Sequence, residues 1–214
     1  MERLICLAIG YVFGLFQSAY LLGRLHHIDI RDYGSGNSGT TNALRVMGKR
    51  AGAMVFWGDA LKTIFACLVT RLLFADQPGM LYVYLVYTAF GVILGHNFPC
   101  YMNFRGGKGI AATAGLLAAL DWRVAALCLV VFLIVVIATR YVSLGSILVL
   151  LTFFLCMVRF GLRGDYGIDP EHLWEFYMVV FLITAMGIVR HHANIGRLLS
   201  GTENKLGAKR KDAN

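Results

Sequence analysis

Long apolar runs, most of them near the length of a membrane-crossing helix, alternate along this chain with short polar segments rich in glycine. A crossing helix needs about 20 mostly apolar residues, because the hydrocarbon core is about 30 Å thick and each residue rises about 1.5 Å. Seven runs stand out, at 4–22, 51–74, 80–95, 110–120, 124–139, 144–158 and 173–189. The fourth is short, so it is expected to be tilted or buried among its neighbours. Pro78, Pro99 and Pro170 are the only prolines, and all three fall between runs, where helix breakers belong. The first run is long, contains Gln17 and Ser18, and has no small-residue cleavage site before Arg24, so it reads as a span and not a signal peptide. The pattern predicts an all-α, polytopic integral membrane protein with about seven transmembrane helices. Residues 1–214 form one domain, with about 206–214 as a flexible basic tail.

Composition strengthens this reading. Of the 214 residues, 58% are apolar and 15% charged, and the mean hydropathy is +0.65. A soluble domain averages roughly 45–50% apolar and about 25% charged. The same values exclude a disordered chain. Five scattered cysteines, none at metal-ligand spacing, exclude a disulfide scaffold and read as small buried hydrophobes. Counting lysine and arginine by side places fourteen with the loops after spans one, three and five and the C-terminal tail. Five lie on the other side, and Lys62 lies within span two. The basic side is therefore expected to be cytoplasmic, with the N-terminus outside and the C-terminus in the cytoplasm. The net charge of +8 is mostly this topology signal, and no nucleic-acid partner is expected.

Three segments on that side carry the chemistry. The first is Gly34-Ser35-Gly36-Asn37-Ser38-Gly39-Thr40-Thr41-Asn42, followed by Arg45. It matches G-x-G-x-x-G, but no strand or βαβ unit surrounds it, so the dinucleotide reading fails. A glycine loop feeding a helix N-terminus suits an anion, and Arg45 adds a fixed positive charge; a plain interhelical turn is the alternative. The second segment runs from Gly95-His96-Asn97-Phe98-Pro99 to Arg105-Gly106-Gly107-Lys108-Gly109. It is not a P-loop, because Gly109 stands where a magnesium-binding hydroxyl belongs, yet glycine N–H groups and a lysine at a helix start suit phosphate equally well. His96 is read either as a packing histidine or as part of that site. The third holds His191, His192, Asn194, Arg197 and Glu203. No acidic or cysteine partner at ligand spacing accompanies its histidines, so no metal is expected. Asp59 and Lys62, at i and i+3 in span two, are expected to pair and face inward, as structure or as substrate contact. Ser143 and Ser146 share the same spacing and can cap span six.

Taken together, the three segments resemble the bacterial membrane-bound acyl-phosphate:glycerol-3-phosphate acyltransferases. The resemblance rests on their order, spacing and common side, with Asp59-x-x-Lys62 and Arg140-Tyr141-Val142-Ser143 fitting as well. It covers nearly the whole chain, although the family usually carries alanine where Thr40 stands. The resemblance implies transfer of a fatty acyl group from acyl phosphate to the 1-hydroxyl of glycerol 3-phosphate. The products are 1-acyl-glycerol 3-phosphate (lysophosphatidic acid) and phosphate, in the first acylation of phospholipid synthesis. It also implies a multi-pass protein of the bacterial inner membrane with its site on the cytoplasmic side, in contact with the lipid bilayer. The soluble enzyme that makes acyl phosphate is a candidate partner.

The expected catalytic residues are His96, as general base or beside a donor phosphate that takes the proton itself, Ser35 as a hydrogen-bond donor, and Asn194. Phosphate and substrate binding is expected from Gly34, Gly36, Asn37, Gly39, Thr41, Asn42, Arg45, Arg105, Gly106, Gly107, Lys108, Ser143 and His191, with Glu203 positioning a basic partner. No cofactor is expected. The rival readings are a permease for an anionic phosphorylated metabolite, a non-enzymatic membrane subunit, and an acyltransferase that draws on acyl-CoA. Against the permease, the two halves show no repeat.

Overall fold

The computed structural model describes residues 1–207. It is a bundle of ten α-helices: α1 (Glu2–Gly14), α2 (Ser18–Leu25), α3 (Thr40–Met47), α4 (Lys49–Leu73), α5 (Pro78–Asn97), α6 (Ile110–Leu120), α7 (Trp122–Thr139), α8 (Val142–Leu162), α9 (Leu173–Arg190) and α10 (His192–Leu199). Six segments are long and apolar enough to cross a membrane: α1 with α2, α4, α5, α7, α8 and α9. Large apolar side chains such as Val12, Trp57, Ile134 and Leu155 stay exposed on their outer faces, as a hydrocarbon solvent permits.

Six of the seven expected spans are long enough to cross a membrane, and the fourth is short, as its length implied. The fourth apolar run forms α6, whose 11 residues rise only about 16 Å, half the hydrocarbon thickness. It is a half-length pass. Its far end is fixed where Arg71 Nη2 donates to the Ala119 carbonyl (2.8 Å). Its near end starts at Gly109, packed beside Ile93 and Asn97 near the end of α5. The remaining height is filled by the 103–109 loop, which turns back on α5: the N–H of Gly106 donates to the Asn97 carbonyl and that of Gly107 to the His96 carbonyl, both at 3.1 Å.

A second irregularity lies in the first pass. α1 ends at Gly14 and α2 begins at Ser18, which frees carbonyls in the gap. Unpaired carbonyls inside a membrane protein are costly, so they need internal donors. Lys62 Nζ donates to the Phe16 carbonyl (2.6 Å), and the fully buried Gln17 amide donates to the Gly14 (3.1 Å), Gly95 (3.3 Å) and His96 (3.0 Å) carbonyls. α1 reaches α5 this closely because Gly10 and Gly14 face Gly91 and Gly95. A Cβ on any of the four would run into the other helix's backbone.

The two ends of the bundle are distinct. At one, Arg3 of α1 forms a bidentate ion pair with Glu175 of α9. At the other, Arg190 at the end of α9 holds the 103–109 loop. The described chain thus begins at one end and finishes at the other. Of the basic tail expected over 206–214, residues 208–214 lie outside the described residues. Leu206 is held: its N–H donates to the Arg140 carbonyl (2.7 Å), and the Arg140 guanidinium donates back to the Leu206 carbonyl.

Candidate active site

At the Arg190 end, the short α6 and the loops around it leave a cavity of about 830 Å³. The three motif segments converge on it. Ser35, Gly36, Asn37, Gly39, Thr41, Asn42, Arg45, His96, Arg105, Gly106, Lys108, Ser143, His191, Asn194 and Glu203 all line it. Gly34 and Gly107 do not. Gly34 takes a left-handed turn (φ +62°) that packs against the Asn42 amide, and Gly107 backs onto the His96 ring.

The first loop is shaped by Asn42. Its amide NH2 donates to the Ile30 (3.1 Å) and Tyr33 (3.0 Å) carbonyls, and its Oδ1 accepts from the Ser35 N–H (2.8 Å). An asparagine spent this way folds its own loop. Asn42 therefore serves as a staple, a correction to its expected role as a phosphate ligand. Ser35 is left exposed at the cavity, and among the described residues no base is hydrogen-bonded to its hydroxyl. Arg45, in the last turn of α3, also faces the cavity.

The second loop is clamped by Arg190, which donates to the Gly106 (3.1 Å) and Gly107 (2.8 Å) carbonyls and lies 5.3 Å over the Phe98 ring. Lys108 is presented next to this clamp and donates to Asn194 Oδ1. Burial, followed by the nearby Arg197, pushes the Lys108 ammonium down to about 8.

The third segment folds back over the site. Glu203 is buried and collects three donors: Ser143 Oγ (3.0 Å), Asn194 Nδ2 (2.8 Å) and Arg197 Nε (2.7 Å). Asn194 thus bridges Lys108 and Glu203, and Ser143 is turned to Glu203 and does not cap α8. His191 is buried, and its Nδ1 lies 2.7 Å from the Gly187 carbonyl. A carbonyl can only accept, so Nδ1 carries the hydrogen and Nε2 keeps its lone pair. Burial holds this imidazole neutral down to about 4. The unfolded chain takes up that proton near the ordinary 6.5. Stability is then lost as pH falls from about 6.5 towards 4, by up to about 3 kcal/mol. The melting temperature in detergent is expected to drop over this window, and His191→Gln is expected to flatten the drop. An unchanged slope in the variant would place the acid sensitivity elsewhere.

The sequence left open whether His96 or the donor phosphate takes the hydroxyl proton, and the geometry around His96 bears on that choice. Lys62 Nζ, an ammonium with no lone pair, lies 2.9 Å from His96 Nδ1 and 2.9 Å from Asp59 Oδ1. The Asp59–Lys62 pair is buried and turned inward, as its spacing implied. His96 Nδ1 is therefore an occupied acceptor. Arg190 entered the sequence reading only as a charge, Arg197 as a member of the third segment without a stated role, and Gln17 only as a polar residue within the first run; the first two prove part of the site and the third buttresses it.

Residues 4–201 match the family model described as glycerol-3-phosphate acyltransferase. The chain is 40% identical over 213 residues to a glycerol-3-phosphate acyltransferase of Clostridioides difficile, covering 97% of each chain. It is 40% identical over 208 residues to one from Halalkalibacterium halodurans, covering 96% of each. Its fold is similar to crystal structures of PlsY, an integral membrane glycerol 3-phosphate acyltransferase. The glycerol 3-phosphate form matches with a TM-score of 0.81, 32% identity and coverage of 97% of this chain and 96% of that one. The lysophosphatidic acid form matches with a TM-score of 0.80.

Proposed function

The chain belongs to the glycerol-3-phosphate acyltransferase family, and from that premise we propose that this cavity moves a fatty acyl group from acyl phosphate to the 1-hydroxyl of glycerol 3-phosphate. Inorganic phosphate leaves and 1-acyl-glycerol 3-phosphate is formed, the first acylation in bacterial phospholipid synthesis. The observation that carries the reading is the cavity's mixed lining. It is walled by cations, Arg45, Lys108 and Arg197, and by apolar side chains, Phe56, Ile110, Phe132 and Val136. Phosphate groups suit the first and an acyl chain the second.

The donor is an activated acyl group, so direct attack by the hydroxyl suffices. Ser35 lacks the base that a nucleophilic serine needs, which favours a hydrogen-bonding role for it. With His96 Nδ1 occupied, two groups remain to receive the hydroxyl proton. One is His191 Nε2, on an imidazole held at about 4. The other is the departing phosphate, whose second ionisation falls near pKa about 6. Burial disfavours protonation of His191, so the phosphate takes the proton, while His191 Nε2 orients the hydroxyl. The cations offset phosphate charge, and Asn194 with Glu203 fixes Lys108 and Arg197.

On this reading the protein sits in the bacterial cytoplasmic membrane with the cavity on the cytoplasmic side, where the excess of lysine and arginine lies. It meets a soluble supplier of acyl phosphate there. The test is purified protein in detergent with glycerol 3-phosphate and either palmitoyl phosphate or palmitoyl-CoA. Phosphate release with lysophosphatidic acid is expected from the acyl phosphate alone. Turnover with only the CoA ester would overturn the donor, and turnover with neither would turn attention to phosphate-ester transport in liposomes.

A further inference from the structure

We propose that Lys62 is a positioning residue for the acyl transfer, locking His96 as an Nε2–H hydrogen-bond donor aimed into the cavity. This rests on the acyltransferase reading above.

The argument is one of hydrogen-bond capacity. An ammonium offers three N–H groups and no lone pair. Lys62 Nζ meets three acceptors within 3.0 Å, the Phe16 carbonyl at 2.6 Å, Asp59 Oδ1 at 2.9 Å and His96 Nδ1 at 2.9 Å, with the Gly14 carbonyl farther off at 3.5 Å. Because Nδ1 has to accept, the ring hydrogen of a neutral His96 resides on Nε2. The lock is itself braced. Ser18 Oγ donates to Asp59 Oδ1 (2.9 Å), and the His96 carbonyl takes the Gln17 amide and the Gly107 N–H. All of these side chains are buried.

The other ring nitrogen is free to act. Among the described residues Nε2 has no hydrogen-bond partner, and His96 lines the cavity. Nε2 lies against Gly107, so closely that a Cβ there would strike it. The free N–H is thus placed beside the loop that carries Lys108. There it can donate to a phosphate oxygen or to the oxyanion that develops at the acyl carbon. A histidine acting as base would need the opposite tautomer, in which Nδ1–H confronts the Lys62 ammonium. The Asp59–Lys62 pair thereby acquires a function for its otherwise expensive burial in a membrane helix.

Two measurements test this. The first is the nitrogen spectrum of the wild-type protein labelled with 15N-histidine in detergent, with His96 assigned through His96→Gln. A pyrrole-type Nε2 and a pyridine-type Nδ1 are expected, and the reverse pattern would overturn the lock. The second is a double-mutant cycle. His96→Ala is expected to lower kcat/KM about 100-fold, the loss typical of one transition-state donor. His96→Gln retains an amide donor near the Nε2 position and is expected to stay within about tenfold of wild type. Asp59→Asn with Lys62→Met is expected to cost about 30-fold in the His96 protein and under about threefold more in the His96→Gln background, because an amide needs no tautomer lock. Equal losses in the two backgrounds would make Lys62 merely structural and overturn the proposal. Failure of the wild type to form lysophosphatidic acid would instead refute the acyltransferase reading, while the substrate-free nitrogen spectrum tests the tautomer lock independently of it.

Discussion

A Gly107→Ala protein is expected to lose about 100-fold or more in kcat/KM while keeping its helical bundle. No backbone strain is involved, since Gly107 is not among the residues with positive φ. The difficulty is space. An alanine Cβ would collide with His96 at Nε2 and lie 2.7 Å from the Ser38 carbonyl. Neither neighbour yields easily. His96 is held by Lys62, and Ser38 is backbone in the Asn42-stapled loop. On its far side Gly107 is gripped by Arg190. The added methyl therefore pushes the two glycine loops apart at their closest approach. A displacement of about 1 Å in a positioned site can cost about 100-fold, whereas overpacking itself costs about 1–3 kcal/mol of stability. Initial rates with acyl phosphate and a melting curve separate the two effects. Gly196→Ala in α10 is the control: nothing lies within 4 Å of its Cβ position, so wild-type rates and equal or higher stability are expected. A fully active Gly107→Ala protein would show that the loops need not touch.

Where the sequence was readable, one run of neighbouring residues carried the signal. The apolar run at 110–120 coincides with α6, and the proline positions bound the helices around it. The three polar segments announced themselves through glycine density and charge, and they do meet. The loss of half a span was foreshadowed by length alone, but the loop that fills the gap was not, because its bonds run to α5 carbonyls and leave no periodic trace. Gln17 shows the same limit. Its partners Gly95 and His96 are 78 and 79 residues away. Two signals pointed to it and went unused: an amide inside an apolar run, and the Gly10-x-x-x-Gly14 and Gly91-x-x-x-Gly95 pairs that bring α1 against α5.

Asn42 and His96 illustrate a different limit. Both residues sit in motifs that suit phosphate or proton transfer, and both do lie at the cavity. Residue type defines what a side chain can bond, but only the fold shows which bonds are already used. Asn42 exhausts its amide on its own loop, and His96 loses one nitrogen to a lysine 34 residues earlier. Arg190 was read as a topology charge because a basic residue ending a span is ordinary. Its grip on two glycine carbonyls depends on how the 103–109 loop folds back.

The largest loss from a single charge is expected at Lys108, where a pH signature accompanies it. Lys108→Met is expected to lower kcat/KM about 100- to 1,000-fold at pH 7, the scale of losing one positioned electrostatic contact to the transition state. In the wild type, burial and then Arg197 hold the ammonium down to about 8. It is charged below that value and neutral above it, so the free enzyme loses a phosphate-binding cation as pH rises through about 8. The value of kcat/KM is then expected to fall up to about tenfold per pH unit above it. The substrate does not mimic this limb, because a phosphate monoester completes its second ionisation near pKa about 6. Lys108→Arg separates charge from shape. A guanidinium stays protonated throughout this range, so the variant is expected to start lower at pH 7, since the fit to Asn194 changes, yet lose the alkaline limb. If the limb persists unchanged in Lys108→Arg, the titrating group is another residue, and the cation that holds the phosphate must be sought at Arg45 or Arg197.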